Sequence, residues 1–361
     1  MKANTGIQET VETSRPQPVG TASSDSPYVL KVEDLRVYFY TEEGEIRAVD
    51  GVSFGMRRGR VTAVVGESGC GKSVTSYSIL RLIQKPGRIM GGTITFTSQT
   101  GEVLEIVGIP EKDKRLYDLR GGKISMIFQE PMTALSPVHT VGNQICEAIL
   151  LHQDVTPQEA RAKAIAMLGK VGIPGAEQRV DQYPFEMSGG MRQRVVIAMA
   201  LVCNPEVLIA DEPTTALDVT IQAQIMGLIK DLQRDMGTST LLITHDLGVV
   251  AQIADDVAVM YLGRIVEQGP VLRIMKDPRH PYTQGLLKSL PSLALEKARL
   301  PSIDGSVPSL SEIPPGCPFH PRCPHAQAGR CDVGGPPPLT VLDSERAAAC
   351  LRVNEIRGNA R

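Results

Sequence analysis

The feature that most constrains this 361-residue chain is the segment Gly66-Glu67-Ser68-Gly69-Cys70-Gly71-Lys72-Ser73, set between the aliphatic run Val61–Val65 and a helical stretch over 74–83. It matches G-x-x-x-x-G-K-[ST], and the strand-loop-helix context is the one in which that pattern cradles phosphate. Glycines let backbone N–H groups converge on the phosphates, and the helix N-terminus adds partial positive charge. Gly66, Ser68, Gly69, Cys70, Gly71 and Val74 are therefore candidate nucleotide contacts. Lys72 is expected to reach the β- and γ-phosphates, and the Ser73 hydroxyl to ligate magnesium.

A phosphate loop of this kind belongs at the carboxyl edge of an open parallel sheet, where ligands sit beyond the strand ends. The runs 207–210 and 241–244 are short and apolar nearly throughout, as strands buried on both faces must be. Gly66, Asp211 and His245 follow three such runs, which puts all three on one edge. Asp211 can hold magnesium, and Glu212 beside it can polarise an attacking water. Gln129, after the run 124–128, and His245 add two neutral hydrogen-bonding groups at further strand ends, with Gln129 a second candidate around the magnesium.

The chain divides around this framework. Residues 1–27 contain no continuous apolar stretch and are expected to be a disordered tail rather than an export signal. Residues 28–275 alternate short aliphatic runs with helical ones, which predicts an α/β domain with a mostly parallel sheet. Within it, about 130–201 reads as a helical subdomain, with Ala160, Ala164, Met167, Leu168 and Val171 on a 3-4 spacing. Residues 276–361 form an extension in which ten of the 38 positions from 301 to 338 are proline. Basic and acidic side chains number 38 and 40, a net charge of −2 that gives no reason to expect nucleic acid. The longest uninterrupted apolar run, 195–203, is half of what a membrane-spanning helix needs.

A second anion cradle lies at Ser188-Gly189-Gly190-Met191-Arg192-Gln193-Arg194, a Ser-Gly-Gly turn at a helix start, 23 residues before Asp211. If the helical subdomain holds it away from the first cradle, each faces a partner chain. At this point the sequence resembles the ATP-binding-cassette (ABC) ATPases. The ordered set is Walker A at 66–73, Q-loop Gln129, the signature at 188–193, Walker B at 207–211 with Glu212, D-loop Ala216-Leu217-Asp218 and switch His245. The resemblance implies the ABC-type P-loop fold and a head-to-tail pair of ATPase subunits, with each ATP between the Walker A of one and the signature of the other. It makes Glu212 the general base, His245 the γ-phosphate sensor and Gln129 the link to a membrane subunit. Ser188, Gly189, Gly190, Gln193 and Asp218 become contacts across the dimer. An aromatic stacking on adenine is expected shortly before Walker A, either Phe39 or Tyr40.

Three stretches resemble one branch, the ATPases of oligopeptide, dipeptide and nickel importers. They are Phe128-Gln129-Glu130-Pro131-Met132-Thr133-Ala134-Leu135-Ser136-Pro137, His280-Pro281-Tyr282-Thr283 and the cysteine-bearing tail. The resemblance implies a peripheral subunit at the cytoplasmic face of the inner membrane, powering peptide import. Its partners would be two transmembrane permeases, a second and paralogous ATPase subunit and, indirectly, an extracytoplasmic solute-binding protein. Nickel or another small solute is the alternative cargo, and a soluble cassette in translation or DNA repair the alternative of another class.

Cys317, Cys323, Cys331 and Cys350 are spaced C-x5-C-x7-C-x18-C in a segment too proline-rich to build its own core, which suggests a metal that organises it. Zinc sites usually show C-x-x-C pairs, and an iron–sulfur cluster tolerates irregular loop spacing better. The branch resemblance also implies a 4Fe-4S cluster in some members. The expectation is a 4Fe-4S cluster on these four thiolates, zinc being the alternative, and no direct role for the tail in nucleotide binding.

Overall fold

The structure, a computed structural model, describes residues 26–42, 44–130, 134–214, 218–290 and 303–356. The expected N-terminal tail, Pro131–Thr133 of the branch motif and Ala216-Leu217 of the D-loop lie outside those residues, the first save for its last two positions.

Chain order begins with two long strands, β1 (Tyr28–Thr41) and β2 (Gly44–Arg57), then β3 (Val61–Val65) and helix α1 (Lys72–Ile79). β4 (Gly87–Thr97), β5 (Val103–Glu105), α2 (Lys114–Leu119) and β6 (Ile124–Ile127) follow. Four helices then intervene before the next strand: α3 (Val141–His152), α4 (Pro157–Lys170), α5 (Ala176–Arg179) and α6 (Gly189–Leu201). β7 (Val207–Asp211), α7 (Val219–Met236), β8 (Ser239–Thr244), α8 (Leu247–Ile253), β9 (Asp256–Tyr261), β10 (Arg264–Pro270), α9 (Val271–Lys276) and α10 (Pro281–Lys288) complete the central part. Two short strands, β11 (Thr340–Val341) and β12 (Ala347–Ala348), close the chain.

The main sheet has the order β11-β12-β10-β9-β3-β8-β7-β6, parallel from β9 through β6 and antiparallel over β10, β12 and β11. Successive residues of one strand serve opposite cores: Leu208 and Ala210 pack toward the helices of 141–201, while Val207 and Ile209 pack toward the second sheet. That is the two-sided burial expected of uninterrupted apolar runs. The second sheet, β2-β1-β4-β5, is antiparallel and was not anticipated from sequence. β1 and β2 pair with four register shifts, so neither strand keeps a clean alternation of apolar and polar residues.

The C-terminal residues are continuous with the sheet. Ala347 and Ala348 pair with Gln268 and Glu267 of β10, and Tyr282, Leu287 and Phe319 join the helix-side core. The bend before α10 is fixed by Glu267, a fully buried carboxylate that accepts from the N–H groups of Arg279 (2.7 Å) and His280 (2.9 Å). His280 caps α10 by accepting the Tyr282 N–H at 3.1 Å through Nδ1.

Candidate functional site: the carboxyl edge of the main sheet

Parallel register lines up the functional strand ends. Val65 lies opposite both Thr244 and Val259, and Asp211 opposite Ile243, so Gly66, Asp211-Glu212 and His245 emerge together. Two glycines of the loop are required by space, and one of them, Gly71, by conformation as well. A Cβ on Gly71, at φ 102°, would stand 2.1 Å from the Ala48 carbonyl oxygen, and one on Gly66 would stand 2.2 Å from that of Met260. Lys72 opens α1 only 4% exposed, and its ammonium donates to the carbonyls of Gly66 (2.8 Å) and Glu67 (3.0 Å). α1 is shorter than the stretch to residue 83, ending at Ile79 before Arg81 turns to φ 55°. Cys70 is buried with its thiol pushed above the ordinary value by that burial, and Val74 packs on the sheet-side core.

Asp211 is fully buried, and its two carboxylate oxygens accept from Ser73 Oγ (3.1 Å) and Ser76 Oγ (3.3 Å). Burial, reinforced by the neighbouring Glu212, raises its pKa to about 6 against the lowering effect of the two hydroxyls. A divalent cation at Ser73 and Asp211 would offset that desolvation, and two hard oxygen donors suit magnesium. Ser76 escaped the sequence reading; its place one turn after Ser73 was the available signal.

Glu212 adopts φ 46°, a conformation costing a non-glycine residue roughly 1–3 kcal/mol and typical of residues whose aim matters. Its backbone N–H donates to the Ile243 carbonyl at 2.9 Å, tying the turn to β8. The carboxylate is 10% exposed, 3.4 Å from His245 Nδ1, and accepts from Gln129 Nε2 at 3.5 Å. Two residues separated by more than 110 positions of chain, Gln129 and His245, thus converge on one carboxylate. His245 is itself 61% exposed, open toward where a phosphate would lie beyond the strand ends.

Ser188 is the N-cap of α6, its hydroxyl accepting the Met191 N–H at 3.3 Å, with Gly189 and Gly190 opening the helix. Gln193 lies elsewhere than expected. It is buried and donates through Nε2 to the Pro213 carbonyl, bracing the turn that carries Glu212 instead of facing a nucleotide. On a helix, five positions beyond the cap turns a side chain off the exposed face. Asp218 is exposed and caps α7 by accepting the Ile221 N–H at 2.9 Å. Of the two aromatics, Phe39 packs toward Gly87 and Ile83, whereas Tyr40 is exposed with its hydroxyl toward the Met90 sulfur at 3.5 Å.

Matching the sequence to known families, the description "ABC transporter" covers residues 49–215, which contain the loop, Gln129, Ser188 and the Asp211-Glu212 pair. A probable peptide ABC transporter ATP-binding protein of Sinorhizobium fredii is 52% identical over 330 residues, 91% of this chain and 96% of the relative. This chain belongs to the ABC transporter ATPases. Similar cassette proteins include the oligopeptide transport ATP-binding protein OppD of Salmonella typhimurium, 47% identical over 94% of this chain and 96% of the relative. The dipeptide transport ATP-binding protein DppD of Bacillus subtilis is 53% identical over 82% and 87%. A solved dimeric cassette in a post-hydrolysis state with ADP and phosphate matches with TM-score 0.58 at 25% identity, over 67% of this chain and 98% of that one. The C-terminal region of oligopeptide/dipeptide transporters matches residues 266–331. Among the described residues no helix is long and apolar enough to cross a membrane.

That C-terminal match includes three of the four tail cysteines. All four line one small cavity together with His280, Phe319 and Ile356. Burial, with a smaller contribution from the neighbouring thiols, raises Cys317 and Cys323 to about 11. Among the described residues no three His, Cys, Asp or Glu side chains are arranged to hold a metal ion, so neither the 4Fe-4S cluster expected on these four thiolates nor its zinc alternative is supported by the arrangement here. All seven cysteines are free thiols, and Cys70, Cys146 and Cys203 lie outside that cavity.

Proposed function

We infer that this chain is the ATP-hydrolysing subunit of a peptide importer. The observation that carries the reading is the convergence of Gln129 and His245 on Glu212 at the end of β7, in a chain whose residues 266–331 match the C-terminal region of oligopeptide/dipeptide transporters. The loop amides and Lys72 bind the phosphates, and Ser73 with Asp211 would hold magnesium on them. Glu212 takes a proton from water as the water oxygen attacks the γ-phosphorus, and ADP departs with the electron pair of the broken P–O bond. The C-terminal match and the relatives' names favour peptides over nickel, and an importer over a soluble cassette. Whether the cargo is a dipeptide or a longer peptide depends on the permeases and the extracytoplasmic binding protein.

Two features support the assembly. The signature cap Ser188 is exposed, so it is available to a second ATPase subunit, for which the branch suggests a paralogue. The α3 face bearing Cys146, Leu150 and Leu151 is an open, largely apolar groove, with Leu151 72% exposed, and suits the cytoplasmic loops of two permeases. Such docking places the subunit peripherally on the cytoplasmic side. Mixing a Lys72→Ala chain with a Ser188→Arg chain tests the composite site. Activity near half of wild type supports it, and complete inactivity in a demonstrated mixed dimer counts against it; with a paralogous partner the two lesions are divided between the two different chains.

The four thiols share one cavity, and their irregular spacing in loops is the ground on which we propose a 4Fe-4S cluster there, with zinc as the alternative. A 4Fe-4S cluster held by Cys317, Cys323, Cys331 and Cys350 would cross-link the loops after α10. Anaerobically purified protein is then expected to contain iron and sulfide in equal amounts; stoichiometric zinc with neither would defeat the assignment.

A further inference from the structure

The phosphate loop is gripped from outside at its second residue. Lys72 rests on the carbonyls of Gly66 and Glu67, and those carbonyls point inward only while the intervening peptide keeps its orientation. Two side chains from the C-terminal region bear on Glu67. The Tyr282 hydroxyl accepts its backbone N–H at 3.0 Å. The Arg322 guanidinium donates to both carboxylate oxygens, at 2.8 and 3.0 Å.

Both grips are rigidly backed. The Arg322 side chain is 4% exposed, its Nε donates to the Asp304 carbonyl at 3.2 Å, and its guanidinium lies over the rings of Tyr261 (5.9 Å) and Phe319 (6.0 Å). Tyr282 is fully buried, with ring centroids 4.7 Å from Tyr261 and 5.4 Å from Phe319. Burial, with the Glu67 carboxylate nearby, holds its phenol far above the usual range, so the hydroxyl stays neutral. Tyr261 ends β9, the strand whose Met260 carbonyl closes the space beside Gly66. Strand end, α10 and the short turn His320–Arg322 therefore meet in one aromatic box, and Glu67 is fastened to it. A forked Arg–carboxylate pair with a nearly buried guanidinium fixes direction as well as distance, which a point charge cannot do.

We propose that Tyr282 and Arg322 are positioning residues of the nucleotide site, holding the Gly66–Glu67 peptide so that Lys72 is stored beside the phosphate position, and that they set ATP affinity without touching ATP. This rests on the ATPase reading of the loop. Both residues bear on the loop at Glu67, whose carbonyl holds Lys72, so the effect belongs to binding and not to the proton transfer.

The test uses the full chain assembled with its permeases, a fluorescent ATP analogue for binding, steady-state hydrolysis, and thermal unfolding without nucleotide. Arg322→Gln and Tyr282→Phe are each expected to weaken analogue binding and raise the KM for ATP by about three- to tenfold, with kcat at saturating ATP within about twofold. Tyr282→Phe keeps the ring and so keeps the aromatic box filled. Arg322→Lys, which retains the charge but not the fork, is expected to recover only part of the affinity. Glu67→Gln combined with Arg322→Gln is expected to be no worse than either alone. Wild-type KM and analogue affinity in Tyr282→Phe and Arg322→Gln, with only the melting temperature lowered, would overturn the proposal. Additive losses in the double variant would do so as well. Failure of the wild-type chain itself to bind the analogue would instead strike the ATPase reading.

Discussion

Along the carboxyl edge of the main sheet the functional side chains lie at or just beyond the ends of parallel strands, whereas the four tail thiols arrive on turns. β3, β6, β7 and β8 deliver Lys72, Gln129, Asp211-Glu212 and His245, and parallel register aligns their ends before any ligand is present. In the tail, positions are fixed by single bonds such as Cys317 N–H to Cys331 carbonyl (2.8 Å) and Cys323 N–H to His320 carbonyl (3.2 Å). Strand ends inherit rigidity from a core buried on both faces. Turns need a cross-link, whether an ion pair or a bound group, to reach the same precision. Chemistry that must be aimed is therefore placed at the sheet edge, and the turns carry the braces.

The largest effect should come from the edge. Glu212→Gln removes the proton acceptor but leaves the loop and Lys72 intact, so turnover is expected to fall by about 10² or more while ATP still binds. Hydrolysis at wild-type rate in an assembled transporter carrying the substitution in every active site would break the assignment of the base, and with it the claim that convergence on Glu212 is what the strand ends achieve.

A smaller effect separates the two regions by pH. His280, at the root of the tail, is held neutral by complete burial, with a pKa near 3 against an ordinary value of 6.5. Its contribution to stability is whole above the unfolded value. As pH falls below about 6.5 the unfolded chain gains a proton that the folded chain refuses, so stability is lost progressively toward pH 3. At pH 5 the loss is about 2 kcal/mol. His280→Asn keeps a capping acceptor for Tyr282 and removes the titration. Denaturant midpoints between pH 7 and 5 should then fall less steeply in the variant, and parallel slopes would show that His280 does not govern the acid sensitivity of this region.

How much of this was legible in sequence follows the same division. The loop, Gln129, Ser188, Asp211, Glu212 and His245 could be found because each sits at a fixed offset from an apolar run or a glycine turn. The antiparallel sheet could not, because bulges in β1 and β2 interrupt the alternation that announces a strand. Gln193 was legible as part of a motif and illegible in its role, since its partner Pro213 lies 20 residues on and helix phase decides which way it points. The grip on Glu67 left no local trace at all: Tyr282 and Arg322 stand 215 and 255 residues away. Distance along the chain suggested that the tail and the nucleotide loop are independent, and the contacts reverse that expectation.

The last prediction asks how far that reversal extends. Arg322 immediately precedes Cys323, and the His320–Arg322 turn is closed by the Cys323 N–H. Loosening Cys323 should therefore let the guanidinium drift from Glu67. Cys350 follows β12 and is anchored separately through the sheet pairing of Ala347 and Ala348. If the thiols act on the loop through this turn, Cys323→Ser raises the KM for ATP by about twofold to threefold, equivalent to less than about 1 kcal/mol, and Cys350→Ser raises it less. A cluster acting as one rigid unit makes the two serine variants equal, because losing any one ligand would release the others together. A wild-type KM in both would confine the coupling to Arg322 and Tyr282 themselves. Measured on the same preparations as iron content, the ranking of the two variants therefore tells whether the braces of the nucleotide loop are held by the turn or by what the turn binds.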